Sequence, residues 1–163
     1  MNQPADRLLE AYGPPESRRL HLVDFENLVG AGLYTPAFAY RVCEKYIRAT
    51  RACKGDTFVI ASGPQNRQAT VSGWHFGAPI YMFRPGKDGA DLALVELACS
   101  IRKLEKFDHV FVASGDGALA PVADLLASKG VPFTVVLGKG LQSPKFKGYP
   151  TVKIERQTNV GAF

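Results

Sequence analysis

The sequence predicts an α/β fold built on a doubly wound, mainly parallel sheet. Short apolar runs recur at intervals long enough to hold a helix between them, the intervening segments carry helix start and stop signals, and aspartates stand where three of the runs give out. Strands alternating with helices form a parallel sheet, and right-handed crossovers distribute the helices over both of its faces.

The elements follow in chain order. Residues 8–12 suggest a short helical turn, broken by Gly13, Pro14 and Pro15. Leu20, His21, Leu22 and Val23 form the first apolar run, closed by Asp24. Residues 36–51 read as a helix with Thr35 as N-cap and Pro36 at its first position. A second strand spans 57–61; Gly63 and Pro64 then turn the chain into a helix through Asn66 and Val71 that ends near Gly73. Residues 80–83 make the third strand. A long helix is expected over 88–106, with Leu92, Val95, Leu97, Ala98 and Ile101 as its apolar face and Arg102, Lys103 and Lys106 at the negative end of its dipole. The fourth strand covers 110–113, and the next helix 118–129, with Pro121 in its first turn and Gly130 past its end. A fifth strand over 131–137 leads into a Gly-, Lys- and Pro-rich loop over 138–150 and a sixth strand over 151–154. That last strand pairs either within this sheet or with a second copy in a homodimer. The organisation is an N-terminal extension (1–19), one domain (20–156) and a C-terminal tail (157–163).

Composition narrows the function classes. With 46% hydrophobic and 21% charged residues the chain is of the ordinary globular type, and its net charge of +5 suits an anionic partner. Cys43, Cys53 and Cys99 are widely spaced and form no CxxC pair, which argues against a zinc site or a disulfide framework. His21, His75 and His109 have no ligand spacing; His21 and His109 are expected as satisfied core or sheet histidines, with Trp74, His75 and Phe76 packed beneath a loop. Residues 1–19 contain Asp6, Glu10 and Glu16 but no apolar h-region, so no signal peptide is expected. No apolar run reaches the roughly 20 residues of a membrane helix. A cytoplasmic location is the simplest expectation.

Three short motifs carry the chemistry. In Asp24-Phe25-Glu26-Asn27-Leu28, an aspartate at a strand end precedes an amide three residues on, a pattern that offers a ligand oxygen and a group to position water or phosphate; the same residues equally close an Asx-turn or cap a helix. In Lys87-Asp88-Gly89-Ala90-Asp91, Asp91 falls in a first helical turn, where acids are favoured by the dipole and where Asp88 and Asp91 have capping-box spacing. In Ala113-Ser114-Gly115-Asp116-Gly117, two glycines free Asp116 to project past its strand, or build an ordinary βα turn. Carboxyl ends of parallel strands share one edge, where ligands bind. Carboxylates collected there repel one another unless a proton or a cation intervenes.

Taken in order and spacing over most of the chain, these motifs resemble the NYN domains of the PIN-like nuclease superfamily. That family's pattern is a strand leading into D-x-E/x-N-L, a G-x-D opening a helix, and S-G-D with a proline downstream; here these are Asp24 to Leu28, Gly89 to Asp91, and Ser114 to Asp116 with Pro121 and Val122. The resemblance implies a three-layer αβα Rossmann-like fold with strand order 3-2-1-4-5 and a metal-dependent endoribonuclease. It places Mg²⁺ or Mn²⁺ on Asp24, Asp91 and Asp116, with Asn27 as a fourth catalytic position, and RNA, single-stranded or structured, as the partner. Ala118 departs from the family, which commonly carries a second acid there; Glu26 or Asp88 is the candidate to compensate. A catalytically degenerate module that binds RNA or protein is the alternative. Substrate contacts are expected from Ser114, from Arg84 and Lys87 on the acidic edge, and from Lys139, Lys145 and Lys147 in the loop, where cations mix with Phe146 and Tyr149; those two aromatics have core packing as their other reading. A Rossmann-like phosphohydrolase of small molecules is a third class, although no D-x-D-x-T signature is present.

Overall fold

The computed structural model describes residues 18–140 and 142–154. The predicted turn at 8–12, most of the N-terminal extension and the tail at 157–163 lie outside the described residues. Six strands form one all-parallel sheet: β1 (Arg19–Asp24), β2 (Thr57–Ser62), β3 (Ile80–Phe83), β4 (His109–Ala113), β5 (Phe133–Leu137) and β6 (Thr151–Lys153), in the order β3-β2-β1-β4-β5-β6. The expected order is therefore found, with β6 added beside β5 within the same chain.

The helices are α1 (Phe25–Val29), α2 (Pro36–Thr50), α3 (Arg67–Gly73), α4 (Gly89–Ser100) and α5 (Ala120–Ser128). Thr35 caps α2 as predicted, its hydroxyl accepting from the Phe38 N–H at 3.1 Å. Alternation along the strands separates two cores. Leu20, Leu22, Val59, Ala61, Val110 and Val112 face α4 and α5 on one side. Val23, Phe58, Ile60, Phe111 and Ala113 face α1 and α2 on the other, and α3 packs against α2. Every residue of β1 is buried, as a central strand covered on both faces requires. None of the described helices is long and apolar enough to cross a membrane.

Several boundaries differ from expectation for physical reasons. The helix expected over 88–106 stops at Ser100; Ile101 is extended (φ −72°, ψ 113°), and residues Leu104–Lys106 form a separate 3₁₀ turn. Arg102 and Lys103 thus lie beyond the helix instead of capping its dipole. Its buried stripe is Asp91, Leu94 and Ala98, while Leu92 is 48% exposed. Residues 92–98 are apolar almost all round, so no single face stands out in the sequence; packing selects the face that carries Asp91. The fifth strand begins at Phe133, after Pro132, whose carbonyl accepts from Val110. Helix α5 is entered through a 3₁₀ turn (Gly117–Leu119). In the 138–150 loop, Phe146 is fully buried and Tyr149 stands edge-on to Phe133, the core packing that was one of the two readings of these aromatics. Trp74 and Phe76 are core residues as well.

Candidate functional site

Strand β1 has β2 on one side and β4 on the other, so the chain's path divides at its carboxyl end and leaves a crevice there. A cleft of about 420 Å³ occupies that crevice, its wall including Asp24, Asn27, Lys87, Asp91, Asp116 and Lys139. The three predicted aspartates and the asparagine therefore line one concavity.

Local hydrogen bonds set this geometry. Asp24 caps α1, its Oδ1 accepting from the Asn27 N–H at 3.3 Å, while its Oδ2 accepts from the Ser114 hydroxyl at 3.1 Å. The same hydroxyl accepts from the Asp116 N–H at 3.1 Å. Asn27 Oδ1 accepts from the Gly115 N–H at 2.8 Å. Two side chains thus staple the end of β1 to the turn after β4. Asp116 Oδ1 accepts from the Ala118 N–H at 2.9 Å, forming an Asx-turn. Asp24 is thus a helix cap, one of the two readings of the first motif, and it also forms part of the cleft wall.

The third wall comes from the turn that follows β5. The Lys139 N–H donates to the Leu28 carbonyl at 3.1 Å and the Gly140 N–H to the Asn27 carbonyl at 3.0 Å. This approach needs glycine on either side of Lys139: a Cβ at Gly138 would collide with the Leu28 carbonyl, and one at Gly140 would stand 2.6 Å from Asn27 Nδ2. Lys139 is held on the rim with its Nζ 5.2 Å from the Phe38 ring centroid.

The electrostatics single out Asp91. It is 5% exposed, yet its Oδ1 is buried without a hydrogen-bond partner among the described residues. Burial, then the hydrogen bond and charge of Asp24, then Asp116, push its carboxyl up to about 9. Burial also raises the Asp24 carboxyl, against the lowering effect of its hydrogen bonds with Asp91, Asn27 and Ser114. Carboxylate oxygens of Asp88, Asp91 and Asp116 all lie within 4.8 Å of one another. An all-oxygen, anionic donor set with an orphaned buried oxygen fits a hard divalent cation such as Mg²⁺ or Mn²⁺.

Not every predicted site residue lies where expected. Asp24 lines the cleft beside Asp91, but the mutually close trio contains Asp88 in its stead. Ser114 was expected on substrate; it is fully buried and acts by orienting Asp24 and the Asp116 amide. Arg84 turns away to pair with Glu96 at 2.8 Å. Lys87 lines the cleft, Lys145 is exposed next to Gly117 in the turn after Asp116, and Lys147 is exposed outside the cleft wall. Glu26, a candidate to compensate for Ala118, accepts a short hydrogen bond from the Gly63 N–H and joins the end of β1 to that of β2. The sequence signal for Asp88 was its three-residue spacing from Asp91, which puts both on one face of a helix. No family model, curated protein or solved structure matches the chain.

Proposed function

We propose that the cleft binds a divalent cation and hydrolyses phosphodiester bonds, with RNA as the substrate that the resemblance to NYN domains implies. The observation that carries this reading is the buried, unpartnered Asp91 oxygen packed against further carboxylates at the switch point of a parallel sheet. Protein interiors rarely leave such an atom unpaired without a functional reason.

Asp91 and Asp116 hold the cation, and Asp24 stands behind Asp91 with its own oxygens fixed by Ser114 and Asn27. When bound, a divalent cation supplies an acidified water and stabilises charge developing on phosphate oxygens. Asn27 keeps the Asp116 turn in place through Gly115. Lys87 and Lys139 provide positive charge on the rim, and neither forms an ion pair with a described carboxylate, so both remain available to phosphates.

The test is cleavage of labelled single-stranded and structured RNAs and DNAs with Mn²⁺, with Mg²⁺ and with EDTA, alongside Asp91→Asn and Asp116→Asn. Cutting that needs the cation and is lost in both variants is the expected result. One observation favours a second reading, a binding module without catalysis: Ala118, exposed beside Asp116, presents no ligand atom. Salt-sensitive RNA binding with no cleavage in any condition would select it.

A further inference from the structure

We infer that Asp88 is a direct ligand of the cation held by Asp91 and Asp116, so that the turn bearing Lys87 is tied to the cation as well. The inference rests on the proposed cation-binding reading and goes beyond it by naming a third ligand.

Geometry brings Asp88 beside the cleft, next to Asp91 and Asp116. The turn after β3 is closed by the Gly89 N–H donating to the Gly86 carbonyl at 3.2 Å, with Gly86 at φ 102°. A Cβ at Gly89 would collide with the Arg84 carbonyl, so the turn accepts no side chain there. Asp88 is consequently fixed at the head of α4, one helical turn before Asp91 and on the same face. Asp91 lies on the stripe of α4 that meets the sheet; Asp88 therefore overhangs the mouth of the same crevice.

Its ordinary role is unfilled. Asp88 is the N-cap residue of α4, but its side chain makes no capping hydrogen bond; its backbone carbonyl accepts from the Leu92 N–H instead. No described cation pairs with its carboxylate. It stands within 4.8 Å of the Asp91 and Asp116 oxygens, an arrangement that like charges oppose unless a cation lies between them. The independent sign of such a cation is the Asp91 Oδ1 atom, buried and without a partner. A ligand drawn from the Lys87–Asp88 turn also means that cation binding orders the neighbouring lysine on the rim, where a phosphate would meet it.

Terbium(III), a hard oxygen-seeking ion, serves as the probe, with Mn²⁺ titration in parallel. The Asp88 side chain makes no capping hydrogen bond, so Asp88→Ala, which removes every side-chain ligand atom, leaves α4 intact. The expected result is an affinity loss at least as large as the roughly 10-fold typical of losing an outer-shell partner. Luminescence lifetimes in H₂O and D₂O should also show about one additional coordinated water, because water fills the vacated position. An unchanged water count in Asp88→Ala, with binding lost in Asp91→Asn and Asp116→Asn, overturns the assignment of Asp88 and leaves the cation reading standing. Wild-type protein that binds neither ion removes the cation reading and this inference together.

Discussion

Asp56 and Asp91 are almost equally buried, 7% and 5% exposed, and yet their carboxyls shift in opposite directions. Burial raises both. At Asp56 the hydrogen bond from His21 Nε2 (2.9 Å), that from the Cys53 N–H (3.0 Å) and the charge of Arg19 (3.0 Å) more than offset it. His21 completes that end of β1: its Nδ1 lies 2.7 Å from the Tyr46 hydroxyl and its ring is stacked between Phe58 and Phe111. Burial lowers the imidazole, and the neutral form with its proton on Nε2 satisfies both neighbours. At the other end of the same strand, Asp24 and Asp91 meet each other instead of a counter-charge. One acid is part of the architecture and complete as it stands. The other keeps a buried oxygen without a partner and has no counter-charge beside it, and this difference separates a structural carboxylate from a candidate ligand better than burial does.

The largest expected effect tests the amino end. Asp56→Ala leaves Arg19 and His21 facing an uncompensated site and should destabilise the fold by about 3–5 kcal/mol in urea unfolding. Asp91→Asn should move the other way, stabilising the cation-free protein. Equal destabilisation by both would dissolve the distinction. Next in size, Mn²⁺ at about 100 times its Kd should add about 2.7 kcal/mol, read as a melting temperature roughly 5–10 °C higher. Asp116→Asn should abolish that rise, and no such loss is expected from changes around Asp56.

The pH dependence sharpens the same contrast. Asp91, raised from an ordinary 3.8 to about 9, contributes stability that is fully present below its unfolded value and lost as pH rises toward about 9. Asp56, lowered, contributes stability present above its unfolded value and lost as pH falls through its folded one. Urea midpoints with EDTA should therefore decline between about pH 4 and about pH 9, and Mn²⁺ should flatten that decline because it favours the ionised carboxylate. Parallel curves with and without the ion would contradict the assignment. The smallest effect is expected from Ser114→Ala, about 1–3 kcal/mol, because Asp24 Oδ2 and the Asp116 N–H lose a shared partner. Cation affinity should fall with it.

The sheet was readable because buried parallel strands are written as short apolar runs, and Leu20 to Val23 or Val110 to Ala113 admit little else. The aspartates at their ends were readable for the same reason, since a parallel sheet gathers those ends on one edge. What stayed hidden depends on distance in sequence. Asn27 and Gly115 are 88 residues apart, and Ser114 and Asp24 are 90 apart; nothing local says that this hydroxyl faces a carboxylate instead of a substrate. Arg84 had no local reason to choose Glu96 over the cleft. Helix α1, five residues long, is too short to show a period. The face of α4 was ambiguous because apolar residues surround it, and only packing shows that Asp91 is on the buried stripe and Asp88 above it.

The sandwiched His21 also gives the molecule an internal spectroscopic reporter. An imidazole between two parallel aromatic rings experiences strong ring currents, and its Nε2 proton, buried and bonded to Asp56, is shielded from exchange with solvent. Its proton resonance should stand apart from the rest of the spectrum and persist until the sheet itself opens. Because it lies at the far end of β1 from the cleft, that single resonance can certify an intact fold in any cleft variant whose binding has been lost.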